Sequence, residues 1–286
     1  MTAQQSALIT GCSSGIGEAT AARLAGSGWT VYATARRPET LTALVAAGCR
    51  ALALDVTDER SMTAAVDTVL AETGRIDALV NNAGYSQSGA VETLDLDDVR
   101  RQFETNVFGL LRMCQLVLPA MRSQGAGRIV NLSSMGGRLV FPGGGAYHAT
   151  KYAVEALSDA LRFEVAGFGV QVVIVEPGLI RTNFDLAAVA SMEGTDSGPY
   201  ADFNTAVARV TKDVYSGPMR HLGGGPEAVA KVIEKSLVSR RPRIRYTVTP
   251  SATLSIASRR ILGARVWDAA LGSQFPRPGG SAPRRG

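Results

Sequence analysis

Residues 6–17 read SALITGCSSGIG. Ser6 to Thr10 is a short apolar run of strand character, and a helical pattern starts near Ile16 and ends near Gly26. Between them Gly11, Gly15 and Gly17 are spaced GxxxGxG. Glycines at such a junction let the chain turn sharply and let backbone N–H groups approach a pyrophosphate. The following helix then presents its positive N-terminal end to that anion. The same spacing would also serve an ordinary Gly/Ser turn, but its place between the first strand and the first helix makes it a dinucleotide-binding loop. Cys12 lies in the loop and reads as a small filler rather than a reactive thiol.

Outward from this loop, short apolar runs alternate with amphipathic stretches. Strands are expected at 30–35, 49–54, 76–82, 127–134, 170–177 and 243–248. Helices are expected at about 39–47, 58–72, 97–123, 147–167 and 226–239, with Asp58 as a first-turn acid and Pro226 suited to a first turn. The strands are near-continuous Val, Ile, Leu and Ala, as required when helices cover both faces of a sheet. This alternation specifies an α/β fold, a doubly wound parallel sheet in one domain over residues 1–275. Residues 183–225 are rich in Gly, Ser, Ala and Met and lack a clear period. They follow the sixth strand at its carboxyl end, so they read as a substrate lid or as a variable surface insertion. Residues 252–271 are weakly amphipathic, and 276–286 (PRPGGSAPRRG) read as a flexible tail.

Composition narrows the class. The chain has 286 residues, 45% of them hydrophobic and 19% charged, which excludes a disordered, collagen-like or disulfide-stapled protein. No apolar run reaches the roughly 18 residues of a membrane span, and MTAQQSALITG does not read as a signal peptide. The three cysteines, Cys12, Cys49 and Cys114, are dispersed and fit a reducing cytoplasm. Two histidines, His148 and His221, are too few ligands for a zinc site, and no metal is expected. The net charge of +5 is uneven: residues 240–286 carry ten arginines against one acid, Asp268. Without a nucleic-acid module or aromatic interleaving this end reads as a solvated surface, with weak peripheral membrane contact as the other use; no nucleic-acid partner is expected.

The second strand ends Thr34-Ala35-Arg36-Arg37, where NAD binders of this architecture place a carboxylate for the adenosine ribose. A guanidinium there can clamp a 2′-phosphate that a carboxylate would repel. Arg36, helped by Arg37 and Ser13, therefore favours NADP(H) over NAD(H). Asp55, with Val56 beside it, is placed after the third strand to accept from the adenine amino group.

With these residues assembled, the chain resembles the short-chain dehydrogenase/reductase family from residue 6 to about 180. TGCSSGIG is similar to its cofactor loop, Asn81-Asn82-Ala83-Gly84 to its NNAG motif, and Pro177-Gly178 with Thr182 to its PG motif. Ser134 and the pair Tyr147 and Lys151 match its serine and YxxxK, and Asn106 stands at its active-site asparagine. The strings VYATAR, YHATKYAVEAL and RPRIRYTVTP look like the hydroxysteroid and retinol dehydrogenase branch. The resemblance implies a Rossmann-type sheet of seven strands in the order 3-2-1-4-5-6-7 and a homodimer or homotetramer built through the helices near 97–123 and 147–167. It implies cofactor contacts at Gly11, Ser13, Ser14, Gly15, Ile16, Gly17, Asn82, Ala83, Gly84, Pro177, Gly178, Ile180 and Thr182, in addition to Tyr147 and Lys151.

The chemistry agrees with that resemblance. Tyr147 and Lys151 are four residues apart, hence on one helix face. An ammonium beside a phenol is expected to lower its pKa from about 10 so that it exchanges a proton with a substrate oxygen. Ser134, thirteen residues before Tyr147, would hydrogen-bond that oxygen as charge develops, with Ser133 the competing candidate. In the family pattern Lys151 also holds the nicotinamide ribose, Thr182 the carboxamide, and Asn106 a water-linked proton relay. Tyr85, Met135, Leu139 and Phe184 are candidates for the substrate pocket or for core packing. The implied reaction is hydride transfer between NADP(H) and an apolar ketone, aldehyde or secondary alcohol. A 3-ketoacyl-thioester reductase and a non-catalytic NADP-binding sensor are the rivals; a sugar-nucleotide epimerase would need a different glycine spacing and a larger C-terminal region.

Overall fold

The computed structural model of the chain describes residues 4–182, 184–192, 197–217 and 221–279. Within the expected lid, residues 183, 193–196 and 218–220 lie outside the described residues, as do 280–286 of the expected tail.

Seven parallel strands form one sheet: β1 (Ser6–Ile9), β2 (Thr30–Ala35), β3 (Arg50–Ala53), β4 (Ala78–Asn81), β5 (Gly127–Leu132), β6 (Val170–Pro177) and β7 (Arg245–Val248). Their order is β3-β2-β1-β4-β5-β6-β7, as the family resemblance implies. Alternate side chains enter alternate cores. Ala7 and Ile9 pack with α1 (Gly15–Gly26) and α9 (Pro226–Val238) through Leu24, Val229 and Ile233. Leu8, on the other face, packs with α3 (Glu59–Thr73), α5 (Leu110–Gln124) and α6 (Gly145–Val165) through Val66, Val117 and Val154. Both faces are therefore dry, which is why these strands carry no polar alternation. The winding direction reverses between β1 and β4, and that reversal opens a crevice beyond the carboxyl ends of the strands.

Three segments depart from the sequence expectation. The single helix expected over 97–123 is α4 (Leu96–Phe103), a π-helical turn (Glu104–Gly109) and α5. At Gly109 an added Cβ would lie 2.4 Å from the Val56 carbonyl oxygen, so only glycine lets the widened turn press on the chain after β3. The stretch 183–225, expected to lack periodic structure, contains α7 (Phe184–Ala190) and α8 (Ala201–Ser216). Phe203, Val207 and Val210 follow helical spacing on α8, but the cluster they join is small, completed by Met192, Ala208, Leu271 and Phe275. The C-terminal helix α10 (Pro250–Gly272) breaks at Gly263, whose φ of 69° and ψ of 178° are accessible to glycine alone. Asp58 precedes α3 and caps it, accepting from the Arg60 N–H at 2.9 Å, rather than occupying its first turn.

Candidate active site

The crevice at the strand ends is a cleft of about 870 Å³, large enough for a dinucleotide and a small substrate. Its floor is the glycine loop. The loop hangs on the sheet through Cys12 N–H, which donates to Thr34 O at 2.7 Å. Gly11 (φ 71°) and Gly15 (φ 64°) take left-handed conformations. An added Cβ on Gly11 would come within 2.9 Å of Ala83 Cα, so the loop and the segment after β4 touch backbone to backbone. Gly17 does not line the cleft: its added Cβ would sit 2.2 Å from Gly11 O, so this glycine seats α1 beneath the loop. Ser14 precedes α1 without capping it by side chain, leaving the first helical N–H groups facing the cleft.

Asn82 and Ala83 tie the loop to β4. Asn82 Nδ2 donates to Thr10 O and Gly11 O, each at 2.9 Å, and the N–H groups of Asn82 and Ala83 donate to Thr10 Oγ1 at 3.0 Å. Asn82 thus builds the loop as well as lining the cleft. Ser13, Ile16, Arg36, Asp55, Val56, Gly84, Pro177, Gly178, Ile180 and Thr182 also line it. Asp55 Oδ1 accepts from the N–H and hydroxyl of Thr57, at 2.9 and 2.8 Å, which fixes the carboxylate at the rim.

Arg37 does not reach the wall; it starts the short 3-10 turn Pro38–Leu41 and its carbonyl accepts from Thr40, so the direction of the chain turns its side chain outward. Leu139 is fully buried and absent from the lining, which makes it a core residue rather than a substrate contact. Tyr85 lines the cleft; burial raises the pKa of its phenol, and the charges of Arg101 and Arg36 oppose that rise. Arg101, Glu104 and Thr105 on this wall went unread in the sequence, because the π turn shifts their phase around the helix.

At the opposite end stand Ser134, Tyr147 and Lys151. The first turn of α6 carries Tyr147, and the next carries Lys151. Lys151 is buried and donates from Nζ to Leu132 O, at the end of β5, at 2.7 Å. Its Nζ lies 5.7 Å from the Tyr147 ring centroid. Burial pulls its pKa down to about 8. Burial also pushes the Tyr147 phenol up to about 12, and hydrogen bonding with Ser134 opposes that rise. The lowering of Tyr147 expected from Lys151 is therefore not found in the protein alone: burial raises the phenol and Ser134 is the group that opposes it. Ser134, not Ser133, is the serine on the phenol; its Oγ accepts from Gly136 N–H at 3.0 Å, leaving its own O–H for the tyrosine oxygen.

Asn106 lies in the π turn, almost fully buried. Its Oδ1 accepts from Tyr85 N–H at 3.0 Å, and its Nδ2 donates to Tyr85 O at 2.9 Å and Thr150 Oγ1 at 3.1 Å. A Cβ added to Gly84 would be 3.0 Å from Asn106 Oδ1 and 3.9 Å from Lys151 Nζ, so asparagine and lysine converge on one glycine. His148, next to Tyr147 on α6, pins the loop after Ser134: Phe141 N–H donates to its Nε2 at 3.2 Å, which makes Nδ1 the donor to Gly136 O at 3.2 Å. The walls around Tyr147 are apolar, with the Phe184 ring 5.4 Å away and Met135 beside it.

Similarity to known proteins agrees with this arrangement. The family model for short chain dehydrogenases matches residues 5–192. Over 269 residues the chain is 36% identical to the uncharacterized oxidoreductase YbbO of Escherichia coli, covering 94% of each chain. It is 39% identical over 246 residues to the 3-ketodihydrosphingosine reductase of Bacteroides thetaiotaomicron, covering 85% of this chain and 87% of that one. A short-chain dehydrogenase structure from Streptomyces avermitilis superposes with a TM-score of 0.79 at 36% identity, covering 95% and 96%. Among other solved structures, ElxO holds NADP (TM-score 0.70, 25% identity, 88% and 99% covered) and xylitol dehydrogenase holds NAD+ (TM-score 0.75, 28% identity, 87% and 100% covered).

Proposed function

The chain belongs to the short-chain dehydrogenase family, and from that membership we propose an NADP(H)-dependent oxidoreductase that interconverts a carbonyl and a secondary alcohol on an apolar, steroid-, retinoid- or polyketide-like substrate. The observation that carries the reading is the meeting of Ser134, Tyr147 and Lys151 in the cleft that the glycine loop floors.

The residues fit a dinucleotide. The close approach of Gly11 to Ala83, the open N-terminus of α1 and the rim carboxylate of Asp55 make a cradle for a pyrophosphate and an adenine. Arg36 supports the 2′-phosphate form, although solved relatives hold either dinucleotide. Thr182 adjoins Gly15 on the cleft wall, and the family pattern gives it the nicotinamide end. When bound, the nicotinamide supplies or takes up the hydride.

Tyr147 then exchanges the proton with the substrate oxygen, and Ser134 holds that oxygen. A neutral, buried phenol suits proton donation to a carbonyl; alcohol oxidation needs its ionised form and is favoured as pH rises. Lys151 holds positive charge beside the phenol, and Asn106 fixes the turn behind it. Met135 and Phe184 supply the apolar substrate wall, and the segment 183–225 acts as the lid. The similarity to a 3-ketodihydrosphingosine reductase supports a ketone substrate. The same reading carries a homodimer or homotetramer and a cytoplasmic location, the latter supported by three buried free thiols, two of them pushed up to about 12 by burial. Among the described residues no helix is long and apolar enough to cross a membrane.

Tyr147→Phe tests the assignment. We expect carbonyl reduction, followed as loss of NADPH absorbance across steroid, retinoid, aromatic ketone and ketoacyl-thioester substrates, to fall by about a thousandfold or more. NADPH binding, followed by cofactor fluorescence, should persist. Wild-type turnover in that variant removes Tyr147 from the chemistry.

A further inference from the structure

Behind the Tyr147–Lys151 face lies a group of charges that the reaction above does not use. Glu155 is one helical turn beyond Lys151 and only 6% exposed; Glu176, on β6, is 2% exposed. Arg245, on β7, joins them. Its Nε donates to Glu155 Oε2 at 3.0 Å and approaches Glu176 Oε1 at 3.5 Å, and its Nη2 donates to Asp159 Oδ2 at 2.5 Å. Arg138, just after the short turn Met135–Gly137, donates to Glu176 Oε1 at 3.0 Å, and Thr247 donates to Glu176 Oε2 at 3.0 Å. One network therefore clamps α6, the loop that carries Ser134, and the last two strands.

Within it Glu155 is peculiar. Its second oxygen, Oε1, is buried, and the buried Ser133 hydroxyl is the hydrogen-bonding group that faces the carboxylate. Both residues border Gly137: an added Cβ there would lie 2.7 Å from Ser133 Oγ, 3.0 Å from Glu155 Cγ and 3.1 Å from the Lys151 carbonyl oxygen. A carboxylate in a dry interior is costly unless opposite charges nearby compensate it. Besides Arg245, the buried cation one turn back along α6, Lys151, is such a charge.

We propose that Glu155 is a positioning residue that acts through Lys151: its buried charge, anchored by Arg245, keeps the lysine an ammonium seated on the Leu132 carbonyl. This rests on the oxidoreductase reading only for its use in catalysis; the electrostatic coupling stands without it. The other groups facing this pair are Tyr147, His148, Asp159 and Arg162 on α6, Arg138 after the Ser134 turn, Glu176 on β6 and Arg245 on β7. Burial draws Lys151 down and Glu155 opposes it, while Glu155 is itself raised by burial and by Glu176 and lowered by Ser133 and Arg245. The carboxylate and the ammonium thus hold each other ionised.

The chain has four lysines, Lys151, Lys212, Lys231 and Lys235, so lysine side-chain carbon NMR can follow each through a pH titration, with Lys151→Met assigning the buried one. In E155Q the amide can still accept from Arg245, which also keeps Asp159 and Glu176, so the fold should hold. We expect the Lys151 midpoint to fall by about one pH unit in E155Q, and in E155L should the amide variant fail to fold. D159N, which removes a charge from the same arginine two turns from Lys151, should leave the midpoint in place. A shift below about a third of a unit in the Glu155 variant, or an equal shift in D159N, overturns the proposal. No substrate enters the measurement, so its failure is separate from failure of the catalytic assignment, which Tyr147→Phe reads.

Discussion

The proposed preference for NADP(H) turns on one side chain, Arg36. It is exposed at the cleft rim, where β2 ends without the carboxylate that would hold an adenosine ribose. A guanidinium there gains charge-assisted hydrogen bonds from a 2′-phosphate, and an aspartate replaces that gain with repulsion. Arg36→Asp should therefore reduce the preference for NADPH over NADH, as the ratio of kcat/KM values, by about tenfold or more. An unchanged ratio would exclude Arg36 from phosphate recognition and leave Arg101, which lines the same cleft, to supply it. At this scale the sequence was most informative where a residue type is irreplaceable. Gly11, Tyr147 and Lys151 were legible because their spacing encodes a turn and a shared helix face. Leu139 and Arg37 were misjudged because proximity along the chain says nothing about which way a side chain leaves a loop.

Elements carried the rest, and their failures have a common cause. Every strand was within reach, since a core on both sides leaves an unbroken apolar run, while the order of the strands came from the family resemblance. The π turn was not, because one extra residue in a helix alters phase without altering composition. Yet that turn brings Asn106 onto the Tyr85 backbone and onto Thr150, and so connects α4 and α5 to α6. The loop after Ser134 depends likewise on His148, whose burial pushes its pKa down to about 4. An unfolded histidine protonates near pH 6.5, so between 6.5 and 4 the unfolded chain binds more protons than the folded one. The stability held by neutral His148 is complete above pH 6.5 and is lost as pH falls through 4, on the order of 3 kcal/mol. Chemical denaturation of the wild type and His148→Gln at pH 7 and pH 4 should show the gap between them shrinking by about that amount. A gap independent of pH would mean that the imidazole does not hold the loop in its neutral form.

For the whole molecule, the remaining question is what covers the outer face of α6. The helix buries Val154 and Ser158 toward the sheet and presents Ala149, Tyr152, Ala156, Ala160 and Phe163 to the outside, all exposed. Their intervals of three and four residues form one stripe, apolar throughout, with Phe163 84% exposed. Phe108, on the π turn that packs against α6, is 52% exposed and extends the apolar face. Single exposed apolar residues need no explanation, but a continuous stripe of this kind marks an interface. The alanines at its centre admit another helix at short distance, and a two-fold axis would set the stripe of one copy against its own equivalent. Light scattering of the purified protein should return a multiple of the 30.0 kDa chain, and Ala156→Glu, placing like charges across the axis, should return the single chain with its helical signal intact. Because Tyr147 and Lys151 ride on the same helix, the split form should also lose carbonyl reduction in proportion to the freedom α6 gains. A wild-type chain that sediments at 30.0 kDa at micromolar concentration would assign the stripe to some other partner and detach assembly from catalysis.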